Sequence, residues 1–128
     1  MVSNYVLDAS ALLSLLNSED GSDLVLVFLP HSVISTVNLA EVVTRLSILG
    51  MPEGENREAL TLLGLEIIPF DEEQAFRAGL LSAYTQPLGL SLGDRACLAL
   101  ALTTQSIALT ADRVWKDLDI GVAISLIR

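Results

Sequence analysis

The stretch LSLGDRACLALALTT, residues 90–104, combines a charged entrance with an apolar interior. After Arg95, the thiol of Cys97 is the only polar group on any side chain until Thr103. A helix without a polar face is normally buried, so this stretch predicts a helix in the core of the protein. Asp94 stands at the entrance of that helix. Its carboxylate either caps the helix or does chemistry at the edge of the core.

Strand-like and helix-like segments alternate along the chain on both sides of this stretch. The predicted strands cover residues 4–7, 31–35, 65–70, 106–110 and 121–127. The predicted helices cover residues 9–17, 36–50, 52–63, 71–85, 91–104 and 111–118, and the ambiguous segment 22–29 is interpreted as a further helix. Such alternation predicts an α/β fold whose parallel sheet is covered on both faces.

Length and composition indicate one globular domain over residues 1–128, with 52% hydrophobic residues and a net charge of −9. No apolar run approaches the ~18 residues of a membrane span, and the N-terminus lacks the basic start of a signal peptide, so we expect a cytoplasmic protein. A single cysteine excludes an internal disulfide, and a single histidine leaves no set of zinc ligands. The negative charge argues against non-specific binding of nucleic acid.

Three carboxylates are predicted at one edge of the sheet. Asp8 follows the first strand, Asp112 follows the fourth, and Asp94 begins the apolar helix. Ligand sites of open α/β sheets form at the carboxyl ends of the strands and the adjoining helix N-termini. Glu41 lies inside the helix after the second strand, on a face turned away from the main apolar stripe. Its inclusion in the same site depends on how that helix packs.

Each of these acids also has an ordinary structural interpretation. Asp8, Asp94 and Asp112 could cap helices, Arg95 could neutralise Asp94, and Glu41 could be a solvated surface charge. If the four converge, however, two carboxylates at ~4 Å repel by about 4 kcal/mol at an effective dielectric constant near 20. Their pKa values would then rise, or a cation would be recruited. An all-oxygen site of this kind suits Mg²⁺ or Mn²⁺.

Four segments in order, YVLDASALLSLL (5–16), ISTVNLAEVV (34–43), LSLGDRACLALA (90–101) and LTADRVW (109–115), resemble the signature blocks of the PIN-domain family. The resemblance is to the VapC-type ribonuclease toxins of bacterial type II toxin–antitoxin systems, and it extends over essentially the whole chain. It implies a PIN-like three-layer α/β/α fold with a parallel sheet of about five strands. It also implies a metal-dependent endoribonuclease that hydrolyses RNA phosphodiester bonds by in-line attack of water.

By position, the resemblance implies that Asp8, Glu41, Asp94 and Asp112 form the acidic catalytic and metal-binding pocket. Asp8 and Asp94 would bind Mg²⁺ (or Mn²⁺) directly, Asp112 would complete the site directly or through water, and Glu41 would hold a water on the ion or a second ion. Ser10 and Thr110 match the supporting polar residues of the family.

The resemblance further implies a cognate antitoxin protein, a homodimer and an RNA substrate. Asp117 is a further late acid, interpreted as a surface residue, and Trp115 is interpreted as a packing residue. Four cations could guide the RNA backbone or be ordinary surface charges, and they are not counted as site residues: Arg45, Arg95, Arg113 and Lys116.

Two other classes of protein remain open. A catalytically inactive PIN-fold binding module would keep the fold without metal binding. Another Asp-based α/β phosphotransfer protein, such as a phosphotransferase or a receiver-type domain, would also place acids at strand ends. The chain lacks an Asp-x-Asp after the first strand, and no Lys follows a late strand at the position that a receiver-type domain uses. Formation of a phospho-aspartate at Asp8 would favour that second class.

Overall fold

A computed structural model describes residues 4–128 and shows five parallel strands in the order β3-β2-β1-β4-β5. The strands are short: β1 is Tyr5–Leu7, β2 Ser32–Ser35, β3 Glu66–Ile68, β4 Ile107–Thr110 and β5 Ile124–Leu126. The central strand β1 pairs Leu7 with Ile34 of β2 and with Leu109 of β4. All these strands point the same way, so their carboxyl ends meet at one edge of the sheet. The predicted α/β fold is confirmed.

Seven α-helices connect and cover the strands within the described residues: α1 Ala9–Leu16, α2 Ser22–Phe28, α3 Thr36–Ile48, α4 Glu53–Leu62, α5 Glu72–Leu80, α6 Ser82–Thr85 and α7 Leu92–Thr104. The ambiguous segment 22–29 is helical, as we expected. The single helix predicted over 71–85 is divided at Leu81. The ψ of Leu81 is −15°, whereas a regular α-helix has a ψ of about −42°. The helix predicted over 111–118 is a 3₁₀ helix, Arg113–Asp117.

Alternate strand residues enter two separate apolar cores, one on each face of the sheet. Val6, Val33 and Ala108 pack with α7 and with the fully buried Trp115. Leu7, Ile34 and Leu109 pack on the opposite face with side chains of α1, α2 and α3. This period of two is what a sheet buried between two helical layers requires. The helix α7 is buried at every residue from 96 to 101, which confirms the prediction from its apolar sequence.

Within residues 4–128 we find no helix with the length and apolar character needed to cross a membrane.

Gly21, which precedes α2, is required by both its conformation and its surroundings. Its φ is +93°, and a Cβ atom would lie 2.5 Å from the backbone oxygen of Ile127. We expect Gly21→Ala to destabilise the fold by about 2–4 kcal/mol, because an L side chain is strained there and the obstructing atom belongs to the backbone. Gly50 also has a positive φ but no neighbour within 4 Å, so Gly50→Ala should cost only about 1 kcal/mol. Urea denaturation of both variants tests this difference, and equal losses would contradict it.

Candidate active site

The carboxyl ends of β1 and β4 bring the first and last candidate segments together. Asp8 follows β1 directly, and its N–H donates to the backbone oxygen of Leu109 in β4 at 3.1 Å. Thr110 ends β4, and Asp112 follows two residues later. The central position of β1 in the sheet therefore places Asp8 between two neighbouring segments that carry polar side chains.

Asp8 is a nearly buried carboxylate, 4% exposed, that is held by three donors. Its Oδ1 accepts from Ser10 Oγ at 2.7 Å and from the N–H of Ala11 at 2.8 Å, and its Oδ2 accepts from Thr110 Oγ1 at 2.5 Å. Asp8 thus caps α1, as the ordinary interpretation expected. Burial raises its pKa to about 6 in spite of these hydrogen bonds, and the negative charge of Asp94 contributes in the same direction.

The hydroxyl groups of Ser10 and Thr110 connect Asp8 to the segment after β4. Each donates its proton to Asp8 and accepts from the backbone: Ser10 Oγ from the N–H of Ala111 at 2.9 Å, and Thr110 Oγ1 from the N–H of Asp112 at 3.0 Å. Because each hydroxyl donates its single proton to Asp8, the two hydrogen bonds fix the carboxylate in one orientation. The two residues therefore do what a supporting pair requires, which is to orient an acid.

Asp94 is the third residue of α7 and forms one half of a capping box. Its Oδ2 accepts from the N–H of Ser91 at 2.9 Å, while its own N–H donates to Ser91 Oγ at 3.2 Å. The suggestion that Arg95 neutralises Asp94 is wrong, because Arg95 turns away and donates to the backbone oxygen of Ala78 at 3.0 Å. Within residues 4–128, Asp94 has no cation within 4.0 Å.

Glu41 reaches the same end of α7 from α3. It accepts from Asn38 Nδ2 at 2.9 Å, and Asn38 also donates to the backbone oxygen of Gly93 at 3.0 Å. Partial burial raises the pKa of Glu41, and the charge of Asp94 raises it further. Glu41 is therefore not an isolated surface charge, because it interacts electrostatically with Asp94.

The buried thiol of Cys97 provides a second indication that the acids are grouped. Burial raises its pKa well above its ordinary value, and the negative charges of Asp8, Asp94 and Glu41 act in the same direction. Three candidate acids thus act on one thiol beneath the first turns of α7. A cysteine in this environment stays protonated and is a poor nucleophile.

Asp112 is less closely tied to the group than the other acids. Its Oδ1 accepts from the N–H of Val114 at 3.0 Å and so caps the following 3₁₀ helix. Its connection to Asp8 runs through its backbone N–H and the hydroxyl of Thr110. Asp117 is exposed at the end of the same 3₁₀ helix.

The chemistry of these acids fits a hard divalent cation. Every candidate ligand is an oxygen, and Asp8 and Glu41 have raised pKa values that a bound cation would lower. Across residues 4–128, no three side chains of His, Cys, Asp or Glu are grouped so as to hold an ion directly. Mg²⁺ is commonly bound by one or two carboxylates while it keeps several waters, so it does not need such a group.

Cavity size does not locate this site. A cavity of about 830 Å³ lies between α3, α4 and β3, and none of the four candidate acids lines it. A groove of about 680 Å³ along the outer face of α3 is lined by Glu41 and Arg45. The positions of the acids and hydroxyls, and not the volume of a cavity, define the candidate site.

The pKa of Asp8 predicts how the stability of the metal-free protein depends on pH. An unfolded Asp has a pKa near 3.8 and the folded one about 6, so the folded state binds this proton more tightly. The resulting stabilisation of the folded state amounts to about 3 kcal/mol. It is fully present below pH ~4 and is lost as the pH rises through ~6. We expect Asp8→Asn to remove this dependence. Urea denaturation in EDTA at about pH 5 and about pH 7.5 measures it, and parallel changes in both proteins would contradict it.

Fold and site together define an α/β protein with a buried aspartate at the carboxyl edge of a parallel sheet, and two hydroxyl groups donate hydrogen bonds to that aspartate. The family model for the PIN domain matches residues 5–121. The chain belongs to the PIN domain family, as the resemblance of its four segments indicated. No match is found among curated proteins.

Solved structures of similar fold come from toxin–antitoxin complexes. A toxin–antitoxin complex from Klebsiella pneumoniae contains a chain with a TM-score of 0.75 and 20% identity, and 98% of each chain is covered. VapBC2 from Rickettsia felis, bound to a DNA fragment from its promoter, gives 0.73 and 19%, again over 98% of each chain. DNA-bound VapBC from Salmonella typhimurium gives 0.72 and 17%, over 100% of both chains. At these identities the similarity establishes the fold.

Proposed function

We propose that this protein is a VapC-type toxin, a metal-dependent endoribonuclease that hydrolyses phosphodiester bonds of RNA. The observation that carries the proposal is the buried carboxylate of Asp8, which Ser10 and Thr110 fix at the carboxyl edge of the sheet near the charge of Asp94. Burial of an anion with a raised pKa is unfavourable without a compensating cation. Membership of the PIN domain family supports the same conclusion.

The proposed roles are those that the family resemblance implies, and the environments of the acids support them. Asp8 and Asp94 would hold the divalent cation, and Asp112 would complete the set directly or through water. When bound, Mg²⁺ or Mn²⁺ supplies activation of water and stabilisation of charge on the phosphate. Glu41, on the more exposed side, would orient the attacking water and accept its proton. The hydroxyls of Ser10 and Thr110 keep Asp8 in place throughout.

Cations beside the acids would guide the negatively charged substrate. Arg45 shares the groove along α3 with Glu41. Arg113 and Lys116 are exposed on the 3₁₀ helix that Asp112 caps. Within residues 4–128 none of these three side chains is paired with a carboxylate within 4.0 Å. They offset locally the net charge of −9, which alone would repel RNA.

We propose a cognate antitoxin and a second copy of the chain as protein partners, and the cytoplasm as the location. The similar folds come from complexes described as toxin with antitoxin or as VapBC. Phe76, Leu80 and Tyr84 of α5 and α6 are each more than 60% exposed. Large apolar side chains at such exposure support association with another protein.

Cleavage of RNA by purified protein, freed of any antitoxin by denaturation and refolding, tests the proposal. We expect cleavage of RNA but not of DNA with Mg²⁺ or Mn²⁺, and none with EDTA. RNA binding without cleavage under every condition would favour an inactive binding module. Labelling of Asp8 by a small phosphate donor, without cleavage of RNA, would favour the phosphotransfer class.

A further inference from the structure

Asn38 is a buried amide that joins α3 to α7. It is 1% exposed, and its Nδ2 uses both protons, one for Glu41 Oε1 at 2.9 Å and one for the backbone oxygen of Gly93 at 3.0 Å. The reversed amide would direct an oxygen at two acceptors, so this orientation is the one that the contacts allow. Among the described residues, Asn38 Oδ1 has no hydrogen-bond partner. A buried amide oxygen without a hydrogen-bond partner costs stability, so its presence here needs an explanation.

Gly93 provides the space that the carboxylate of Glu41 occupies. A Cβ atom at Gly93 would lie 2.5 Å from Glu41 Oε1 and Cδ, and closer still to Oε2. Gly93 is the second residue of α7, and its φ is not in the left-handed region, so the backbone itself does not require glycine. Glycine is also a poor helix former compared with alanine. The missing side chain therefore serves the placement of Glu41.

We propose that Asn38 and Gly93 form a latch that holds the Glu41 carboxylate against the first turn of α7, beside Asp94, and that both are positioning residues for RNA cleavage. The role in cleavage rests on the proposed function. Glu41 and Asp94 carry like charges and repel each other, so an unrestrained Glu41 would turn toward solvent. The donated N–H of Asn38 and the gap at Gly93 oppose that movement.

The variant Gly93→Ala distinguishes a role in positioning Glu41 from a purely structural contact between α3 and α7. The atoms obstructing a new methyl group are the flexible end of Glu41, so the fold can accept the change. We expect kcat to fall roughly 10- to 100-fold, because misplaced catalytic groups cost about that much, while KM changes little. The melting temperature should equal or exceed that of the wild type. Gly54→Ala is the matched control, since Gly54 is the second residue of α4 and has no neighbour within 4 Å.

The background of Glu41→Ala shows whether the latch acts through Glu41. If it does, adding Gly93→Ala to Glu41→Ala causes no further fall in kcat. A further fall equal to that in the wild-type background would overturn the latch. The latch would also be overturned if the wild type cleaves RNA and Gly93→Ala cleaves it with the same kcat.

A readout independent of cleavage comes from the side-chain amide of Asn38 in the metal-free protein. By NMR we expect both amide protons to exchange more slowly than those of the exposed Asn17, and one of them to lose protection in Gly93→Ala. Fast exchange of both in the wild type would overturn the latch. Slow exchange in a wild-type protein that never cleaves RNA would overturn the proposed function and support the latch geometry.

Discussion

Asp8→Asn should lower the rate of RNA cleavage by at least ~10³-fold and should stabilise the metal-free protein near neutral pH. Asparagine keeps an oxygen for the N–H of Ala11 and for Ser10, so the cap of α1 survives. It removes the buried charge that a cation must bind and that burial disfavours. Activity and stability therefore move in opposite directions, as is common for groups selected for function. Single-turnover cleavage and thermal denaturation of the same preparation measure both.

Asp23→Asn is the matched control for this first prediction. Asp23 is an exposed carboxylate in the first turn of α2, so its neutralisation changes the net charge by the same amount without touching the site. We expect its cleavage rate to stay within about twofold of the wild type. If Asp8→Asn lost activity only because it unfolded, its melting temperature would fall, and the account of Asp8 would be wrong.

Asp94→Asn should lower cleavage by roughly 10²- to 10³-fold with little change in stability. The amide oxygen can still accept from the N–H of Ser91, so the capping box is largely kept while the charge is lost. Ser91→Ala makes the complementary change: it removes the hydroxyl that caps Asp94 N–H and leaves the carboxylate. That variant should lose about 1 kcal/mol of stability and retain most of its cleavage. Comparable losses of cleavage in the two variants would mean that Asp94 acts only as a cap.

The caps found at three acids do not argue against a site. Asp8, Asp94 and Asp112 each accept a hydrogen bond from a backbone N–H at the start of a helix. A carboxylate has about four acceptor positions, and a cap uses one or two of them. The ordinary and the functional interpretation of such a residue are therefore compatible. Only a substitution that keeps the cap and removes the charge distinguishes them.

Local sequence patterns predicted most of the fold. The apolar run of α7 indicated a buried helix, and the alternation of segments indicated the parallel sheet. The division of residues 71–85 at Leu81 was not predicted, because the sequence there contains no proline, and the single Gly79, two residues before Leu81, is tolerated inside a helix. Backbone geometry at such a point depends on packing, which a local pattern does not contain.

The sequence indicated the candidate acids and the supporting hydroxyls of Ser10 and Thr110, but not the contacts of Asn38 and Gly93. Asp8, Asp94 and Asp112 follow from strand ends and a helix start, and the helical wheel turned Glu41 away from the apolar stripe. Asn38 and Gly93 were missed, because their contact joins residues 55 positions apart in the chain. The available signals were weak ones: a polar residue one turn before Glu41 and a glycine inside a helix. The direction of Arg95 likewise depends on α5, which no local pattern places.

The most direct test of the central claim is RNA cleavage by the wild type, Asp94→Asn and Ser91→Ala, measured side by side with Mg²⁺, with Mn²⁺ and with EDTA. We expect metal-dependent cleavage by the wild type and by Ser91→Ala, and near-complete loss of cleavage in a folded Asp94→Asn. Cleavage by Asp94→Asn at the wild-type rate, or cleavage that persists in EDTA, would contradict an acidic metal site at the first turn of α7.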